Sequence, residues 1–187
     1  MLKVINKVGN NGLMWQDVGI FSIFLQVKEI NYMITFVGDH NCKLDQKGRV
    51  TFPSSLKKQM NSASDGRFVI KKDIFEQCLV LFPIEEWERQ NAIIRSKVNP
   101  YNKEHSKFLR SFYRGSAELI LDSNNRLLIP KRLLDLAEIS KEAILAGQDG
   151  KIEIWSKDLY ESVEQSNDDF ASLAEKIMGG NLNPEID

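Results

Sequence analysis

Two aspartate–arginine pairs with identical spacing are the residues of this 187-residue chain best suited to chemistry. Asp45 and Arg49 lie in the stretch LDQKGRVTFP, and Asp122 and Arg126 lie in LDSNNRLLIP, 77 positions later. Leu, Asp, Arg and Pro keep their places in both copies. Across a tight turn the carboxylate can accept backbone N–H groups or pair with the arginine. Either arrangement would hold the turn and aim the arginine.

An arginine held at a turn can recognise an anion, because its planar fork of five donors matches phosphate oxygens or guanine O6 and N7. The predicted DNA-binding residues are Arg49, Lys47, Lys43 and Arg126, and the residues predicted to support the turns are Asp45, Gly48 and Asp122. The plainer interpretation is a surface ion pair, worth under about 1 kcal/mol.

Charge is distributed unevenly along a chain whose net charge is −1. Residues 43–58 carry five basic residues and one acid, whereas residues 157–187 carry two lysines and eight acids. The first segment suits an anionic partner, and the second suits a solvated acidic tail.

The residues around each pair predict a hairpin. Gly48 accepts positive φ without strain, and Asn125 tolerates it. After each arginine the apolar residues alternate, which predicts strands with one buried face and places Arg49 and Arg126 on the other. These apolar residues are Val50, Phe52, Leu127 and Ile129. We expect the prolines to end the strands and Ser54 or Ser55 to cap the first short helix.

The repeat extends beyond the turns, since both halves predict the order strand, turn, strand, short helix, strand, turn, strand. Phe82 corresponds to Trp155, and Trp87 corresponds to Tyr160 at an offset of 73, so the first half contains about four extra residues. Each half is too small to close a core alone. Two copies could pair about a pseudo-two-fold axis and form one β-barrel-like unit with two hairpin tips.

Helical patterns cover 83–98 and 101–116, between the halves. The predicted domains are a first repeat at 37–86, a helical connector at 87–114, a second repeat at 115–160, a C-terminal helix and acidic tail at 161–187, and an N-terminal extension at 1–32. The apolar run at 18–25 is too short to span a membrane, and no clean signal-peptide cleavage site follows it. We expect Met33 to be the natural start and residues 1–32 to lie outside the core.

Enzyme signatures are absent from the sequence, so we expect no catalytic residues, no metal and no cofactor. Cys42 and Cys78 lack metal-ligand spacing and are typical of free thiols in a reducing compartment. His40 lies near Cys42, but no third ligand or catalytic group accompanies this pair.

Five segments together resemble the MraZ family of bacterial transcriptional regulators of the division and cell wall cluster. They read GDHNCKLDQKGRVTFPSSLKKQ, CLVLFPIEEWE, VNP, RGSAELILDSNNRLLIPKRL and AILAGQDGKIEIWSKDLYE. The resemblance covers about residues 33–165. It implies an α+β fold of two tandem SpoVT–AbrB domains of the swapped-hairpin type, sequence-specific DNA binding and assembly into rings.

From this resemblance we expect a cytoplasmic, nucleoid-associated homo-oligomer, most simply a ring, that binds double-stranded promoter repeats and no membrane. The alternative is a protein-interaction or antitoxin-like module on the same barrel. The second copy departs from the first, because it has no lysine before Arg126 and has Ile120 in place of Lys43. Its phosphate contacts are therefore expected to be weaker.

Overall fold

The computed structural model describes residues 34–60, 65–164 and 170–179. The extension predicted at 1–32 and the end of the acidic tail, 180–187, lie outside the described residues. In the described part of the chain the strands are β1 Asp39–Lys43, β2 Arg49–Thr51, β3 Arg67–Lys72, β4 Leu79–Pro83, β5 Ala117–Ile120, β6 Arg126–Leu128, β7 Glu142–Gln148 and β8 Lys151–Ser156. The helices of the same residues are α1 Ser54–Gln59, α2 Ile84–Lys97, α3 Lys103–Tyr113, α4 Lys131–Leu136, α5 Lys157–Glu164 and α6 Phe170–Met178.

The strands form a six-stranded antiparallel sheet in the order β1-β7-β8-β4-β3-β5 and a separate two-stranded ribbon, β2-β6. The order is palindromic under the repeat, since exchanging each strand with its counterpart in the other half reverses the list without changing it. The pseudo-two-fold relation predicted from the repeat is therefore present in the strand pairing.

The halves exchange strands at both ends of the sheet. β1 of the first half pairs with β7 of the second, and β5 of the second half pairs with β3 of the first. In the middle, β4 pairs with β8. Neither half could form this sheet alone, because its first strand has its hydrogen-bonding partner in the other half.

The ribbon is the second place where the halves meet. Val50 lies opposite Leu127, and both side chains are fully buried. They belong to a core that also contains Leu56 of α1, Leu133 of α4 and one face of the large sheet. The alternation predicted for the two strands is confirmed, because Phe52 and Ile129 are also buried while both arginines lie on the other face.

The opposite face of the sheet is covered by helices, with α2 packed on β3 and β4 and α5 packed on β7 and β8. The aromatic correspondence is confirmed in three dimensions. The rings of Phe82 and Trp87 lie 5.9 Å apart, and those of Trp155 and Tyr160 lie 6.0 Å apart. The four extra residues of the first half lie between β3 and β4, where a six-residue loop replaces the two-residue turn between β7 and β8.

The predicted helices at 83–98 and 101–116 are present as α2 and α3. The prediction that Ser54 or Ser55 caps α1 is wrong. Pro53 occupies the N-cap position without a side-chain cap, and the Ser55 hydroxyl instead bonds His40 Nε2 at 3.1 Å. The fold is α+β with an antiparallel sheet, and the two sheets do not close into a hydrogen-bonded barrel among the described residues. The barrel closure stays a prediction.

The ribbon offers a matched pair of adjacent leucines with which to test its place in the core. Leu127 is fully buried, whereas Leu128 is 55% exposed. Leu127→Ala should lower the free energy of unfolding by about 2–5 kcal/mol, because it leaves a cavity between the halves. Leu128→Ala should change it by less than about 0.5 kcal/mol. Urea denaturation followed by circular dichroism measures the free energy of unfolding of both variants. A loss for Leu127→Ala no larger than that for Leu128→Ala would show that the ribbon is peripheral to the core.

Candidate nucleic-acid interface

The first turn is held by both of the interactions that its sequence allowed. Asp45 Oδ1 accepts the backbone N–H groups of Lys47 at 2.8 Å and Arg49 at 3.0 Å. Its other oxygen, Oδ2, accepts Arg49 Nε and Nη2, each at 2.6 Å. One carboxylate therefore closes the turn and fixes the arginine side chain.

The second turn repeats this geometry at the corresponding residues. Asp122 Oδ1 accepts the N–H groups of Asn124 at 2.8 Å and Arg126 at 2.9 Å. Asp122 Oδ2 accepts Arg126 Nε at 2.9 Å and Nη2 at 2.7 Å. This turn has Asn125 where the first turn has Gly48, yet the two turns have the same pattern of hydrogen bonds.

The residue before each arginine has positive φ, +79° at Gly48 and +55° at Asn125. This conformation turns each carbonyl toward the other half of the molecule. Gly48 O accepts the N–H of Ile129 at 3.1 Å, and Asn125 O accepts the N–H of Phe52 at 2.8 Å. Each turn is thus tied to the end of the opposite ribbon strand, so that the two tips form one unit.

The ribbon brings the two arginines onto one surface. Arg49 lies opposite Leu128, and Thr51 lies opposite Arg126. All four belong to the face opposite the buried pair. Diagonal neighbours on antiparallel strands are about 7–8 Å apart, so the two guanidiniums share one face of a short ribbon. The sequence indicated two tips, and the structure joins them.

Each guanidinium keeps donors that the turn does not use. Arg49 and Arg126 donate to aspartate through Nε and Nη2. Neither Nη1 donates a hydrogen bond to another of the described residues. Their side chains are 30% and 28% exposed. An arginine held on one edge by a carboxylate offers its remaining N–H groups to an acceptor outside the protein.

The lysines differ in where they lie relative to the two tips. Lys47 is exposed at the first tip. Lys43 is exposed on β1, outside both turns, and lies opposite Glu142, whose carboxylate forms an ion pair with Lys157 Nζ at 3.5 Å. Lys57 of α1 extends across to the second tip, where its ammonium donates to the side-chain oxygen of Asn125. The second tip therefore has a cation, Lys57, that comes from the first half. Sequence reasoning missed this contact because it depends on how the two halves pair.

Electrostatics favour the ionised form of both turn aspartates. The N–H of Arg49 first, and then its guanidinium and the N–H of Lys47, hold the pKa of the Asp45 carboxyl below its ordinary value. The Arg126 side chain first, and then the N–H groups of Arg126 and Asn124, lower the pKa of Asp122. Both carboxylates are therefore charged at any pH at which the protein would meet nucleic acid.

The remaining candidate groups show no such arrangement. Burial raises the thiol pKa of both Cys42 and Cys78, which makes them poor nucleophiles. Within residues 34–60, 65–164 and 170–179, no cluster of three potential metal ligands is present. No helix in this part of the chain is long and apolar enough to cross a bilayer.

Comparison with known proteins identifies the relatives of this arrangement. A family described as "MraZ protein, putative antitoxin-like" matches the chain twice, at residues 35–111 and 112–178. The two matches correspond to the two halves seen in the strand pairing.

Individual relatives cover the same region. Transcriptional regulator MraZ of Christiangramia forsetii is 44% identical over 150 residues, which span 79% of this chain and 95% of the relative. The protein of the same name from Flavobacterium psychrophilum is 43% identical over 154 residues, 82% of this chain and 97% of the relative. The protein of the same name from Phocaeicola vulgatus is 40% identical over 152 residues, which span 81% of this chain and 99% of the relative.

The lowered aspartate pKa values predict a specific response to acid. A carboxyl whose pKa is lower in the folded state stabilises the protein above its unfolded pKa, near 4, and loses that effect as the pH falls through the folded value. The double variant Asp45→Asn/Asp122→Asn should be less stable than the parent at pH 7. This difference should shrink steadily below about pH 4, where the parent carboxylates become protonated.

Urea midpoints measured from pH 7 to about pH 2.5 test this expectation, with each single variant measured alongside the double variant. A difference between parent and double variant that stays constant through the acid range would show that the two carboxylates do not act as ionised turn acceptors.

Proposed function

Because this chain belongs to the MraZ family, we propose that it is a transcriptional regulator that binds DNA sequence-specifically through its two hairpin arginines. The observation that carries the proposal is the joining of both tips on the β2–β6 ribbon. Two guanidiniums, each fixed by its own aspartate and each with unused donors, share one exposed face. Groups of this kind read guanine edges or bind phosphates.

Within this surface we assign separate roles to its cations. Arg49 and Arg126 carry the fork geometry that base recognition requires. Lys47 supplies a phosphate contact, and Lys43 contributes less because it lies at the end of β1, outside the ribbon. Asp45, Gly48 and Asp122 position the arginines and touch no nucleic acid themselves.

A single ribbon gives only a few contacts, so its binding would be weak and sensitive to salt. Assembly of several copies, most simply in a ring, makes the later contacts intramolecular and multiplies affinity for DNA with repeated short sites. Exposed apolar side chains support association, with Val37 65% and Tyr101 97% exposed on the isolated chain. We place such an assembly in the cytoplasm, associated with the nucleoid.

The antitoxin-like description of the matching family favours one second candidate, a protein-interaction module on the same scaffold. In that case the ribbon arginines would meet acidic side chains of a protein partner. DNA affinity of the parent protein separates the two functions directly.

The arginine substitutions test the proposed site. Arg49→Ala should remove most specific binding, at least a tenfold loss, while the melting temperature stays within a few degrees because an exposed ion pair contributes little to folding. Arg126→Ala should weaken binding less. Lys47→Ala should lower affinity for all sequences and reduce the salt slope by about one, as loss of a phosphate contact does.

The probes are the DNA immediately upstream of the protein's own gene and a scrambled fragment of equal composition, titrated over a potassium chloride series. The matched control is Arg89→Ala, which removes a comparable arginine–carboxylate pair with Glu86 on α2, on the far side of the sheet. If Arg49→Ala binds the upstream DNA as tightly as the parent, the tip is structural. A larger effect at Arg126 would reverse the assigned asymmetry.

Assembly is tested separately by light scattering. The mass should be several times the 21.4 kDa of one chain at micromolar concentration. A strict monomer that still binds repeated sites tightly would contradict the role given to multivalency.

A further inference from the structure

A second cationic surface lies away from the ribbon, in an open groove of about 570 Å³ between the end of β3, helix α3 and helix α4. Its lining includes four cations and one carboxylate. The cations are Lys71, Lys72, Arg114 and Arg132, and the carboxylate is Asp73. A volume of this size is typical of small-molecule sites.

Lys71 is the unusual residue of this groove, because it is only 5% exposed. It lies on the sheet face that α2 covers, with its ammonium 4.2 Å from the centre of the ring of Phe112 on α3. No hydrogen bond or ion pair to this ammonium is present among the described residues. Burying a cation without an anionic partner is costly, and burial lowers the pKa of Lys71. A charge kept in this position points to an anion that binds there.

The neighbouring charges do not pair directly with Lys71, since Asp73 favours its charged form without forming an ion pair with it and Lys151 disfavours that form. Asp73 uses Oδ1 to accept the N–H groups of Phe75 at 2.8 Å and Glu76 at 2.9 Å, which holds the loop between β3 and β4. The guanidiniums of Arg114 and Arg132 also make no ion pair within the described part of the chain. Arg132 lies directly over Gly115, where a Cβ would come within 3.0 Å of its Nη1. The groove thus combines the buried ammonium of Lys71 with two guanidiniums that can bind an anion.

Apolar rings form the rest of the wall. Phe112 is held by stacking against Trp87, with 8° between the ring planes. Phe108 lies 5.8 Å from Phe112 between ring centres and remains 44% exposed. A flat apolar group could lie against this exposed ring while its anionic part meets the cations.

We propose that this groove binds a phosphorylated small molecule that carries a flat apolar group. Two arginines and a lysine suit a phosphate or diphosphate, since arginine binds phosphate oxygens through paired N–H groups. The loop that supplies Asp73 and Ile74 to the groove contains the extra residues of the first half, so the two-residue turn between β7 and β8 provides no equivalent wall. The second half, within the described residues, therefore has no counterpart of this groove.

Calorimetric titration of the full, assembled chain tests the proposal with three probes. Pyrophosphate carries the anion alone, ADP carries the anion with an aromatic ring, and adenosine carries the ring alone. ADP should bind at least tenfold more tightly than pyrophosphate, and adenosine should not bind detectably. Failure of both pyrophosphate and ADP to bind at millimolar concentration would overturn the site. Equal affinity for the two would overturn its apolar part.

Two variants separate the two parts of the site. Lys71→Met retains a long apolar stem without the charge, so it should weaken both pyrophosphate and ADP at least tenfold. Its melting temperature without ligand should equal or exceed that of the parent, because it removes a buried unpaired charge. Phe108→Ala should weaken ADP and leave pyrophosphate unchanged. Unaltered ADP binding by Lys71→Met would contradict the proposal.

The hairpin site provides the cross-control. Lys47→Ala should bind ADP as the parent does, and Lys71→Met should bind the upstream DNA as the parent does. If Lys71→Met instead loses DNA affinity, the groove is part of the nucleic-acid surface and the small-molecule proposal is wrong. Binding of ADP to the groove does not depend on Arg49, so Arg49→Ala can lose DNA binding and should still bind ADP as the parent does.

Discussion

The two halves of this chain depend on each other for their backbone hydrogen bonds and for burial of their apolar faces. β1 and β5 find their partners only in the opposite half, and Val50 meets Leu127 at the centre of the shared core. A unit of about 50 residues is marginal in the surface it can bury, and the exchanged strands leave each half without a complete sheet, so the halves should fold together. Substitutions at this contact should therefore act on both halves together.

The same constraint produces the candidate DNA-binding surface. Because the ribbon strands must pair, their turns lie at the two ends of one short ribbon, and each turn carbonyl accepts an N–H group from the end of the opposite strand. The aspartates then fix the arginines with no further support from the core. The core contacts and the candidate recognition surface thus lie on opposite faces of three-residue strands, with apolar residues facing inward and guanidiniums facing outward. This separation allows the tips to vary in sequence, glycine in one and asparagine in the other, without loss of the fold.

Local chemistry and the pseudo-two-fold relation of the halves were predictable from the sequence, and individual contacts between residues far apart in the chain were not. The repeat, the helices α2 and α3, the buried face of each ribbon strand and the two possible interactions of each aspartate all follow from spacing and turn geometry. The strand exchange, the contact of Lys57 with the second tip and the burial of Lys71 depend on residues far apart in the chain. The capping prediction at Ser54 and Ser55 was wrong because Pro53 takes the N-cap position and the Ser55 hydroxyl bonds His40.

The central claim is that DNA lies against the outer face of the ribbon, and site-specific photo-cross-linking tests it most directly. A benzophenone amino acid placed at Thr51, which is exposed on that face, should cross-link efficiently to the upstream DNA in the assembled protein. The same group at Arg89, on the helical layer beyond the sheet, should not. Cross-linking from position 89 without any from position 51 would contradict the account and move the DNA-binding surface to the opposite side of the molecule.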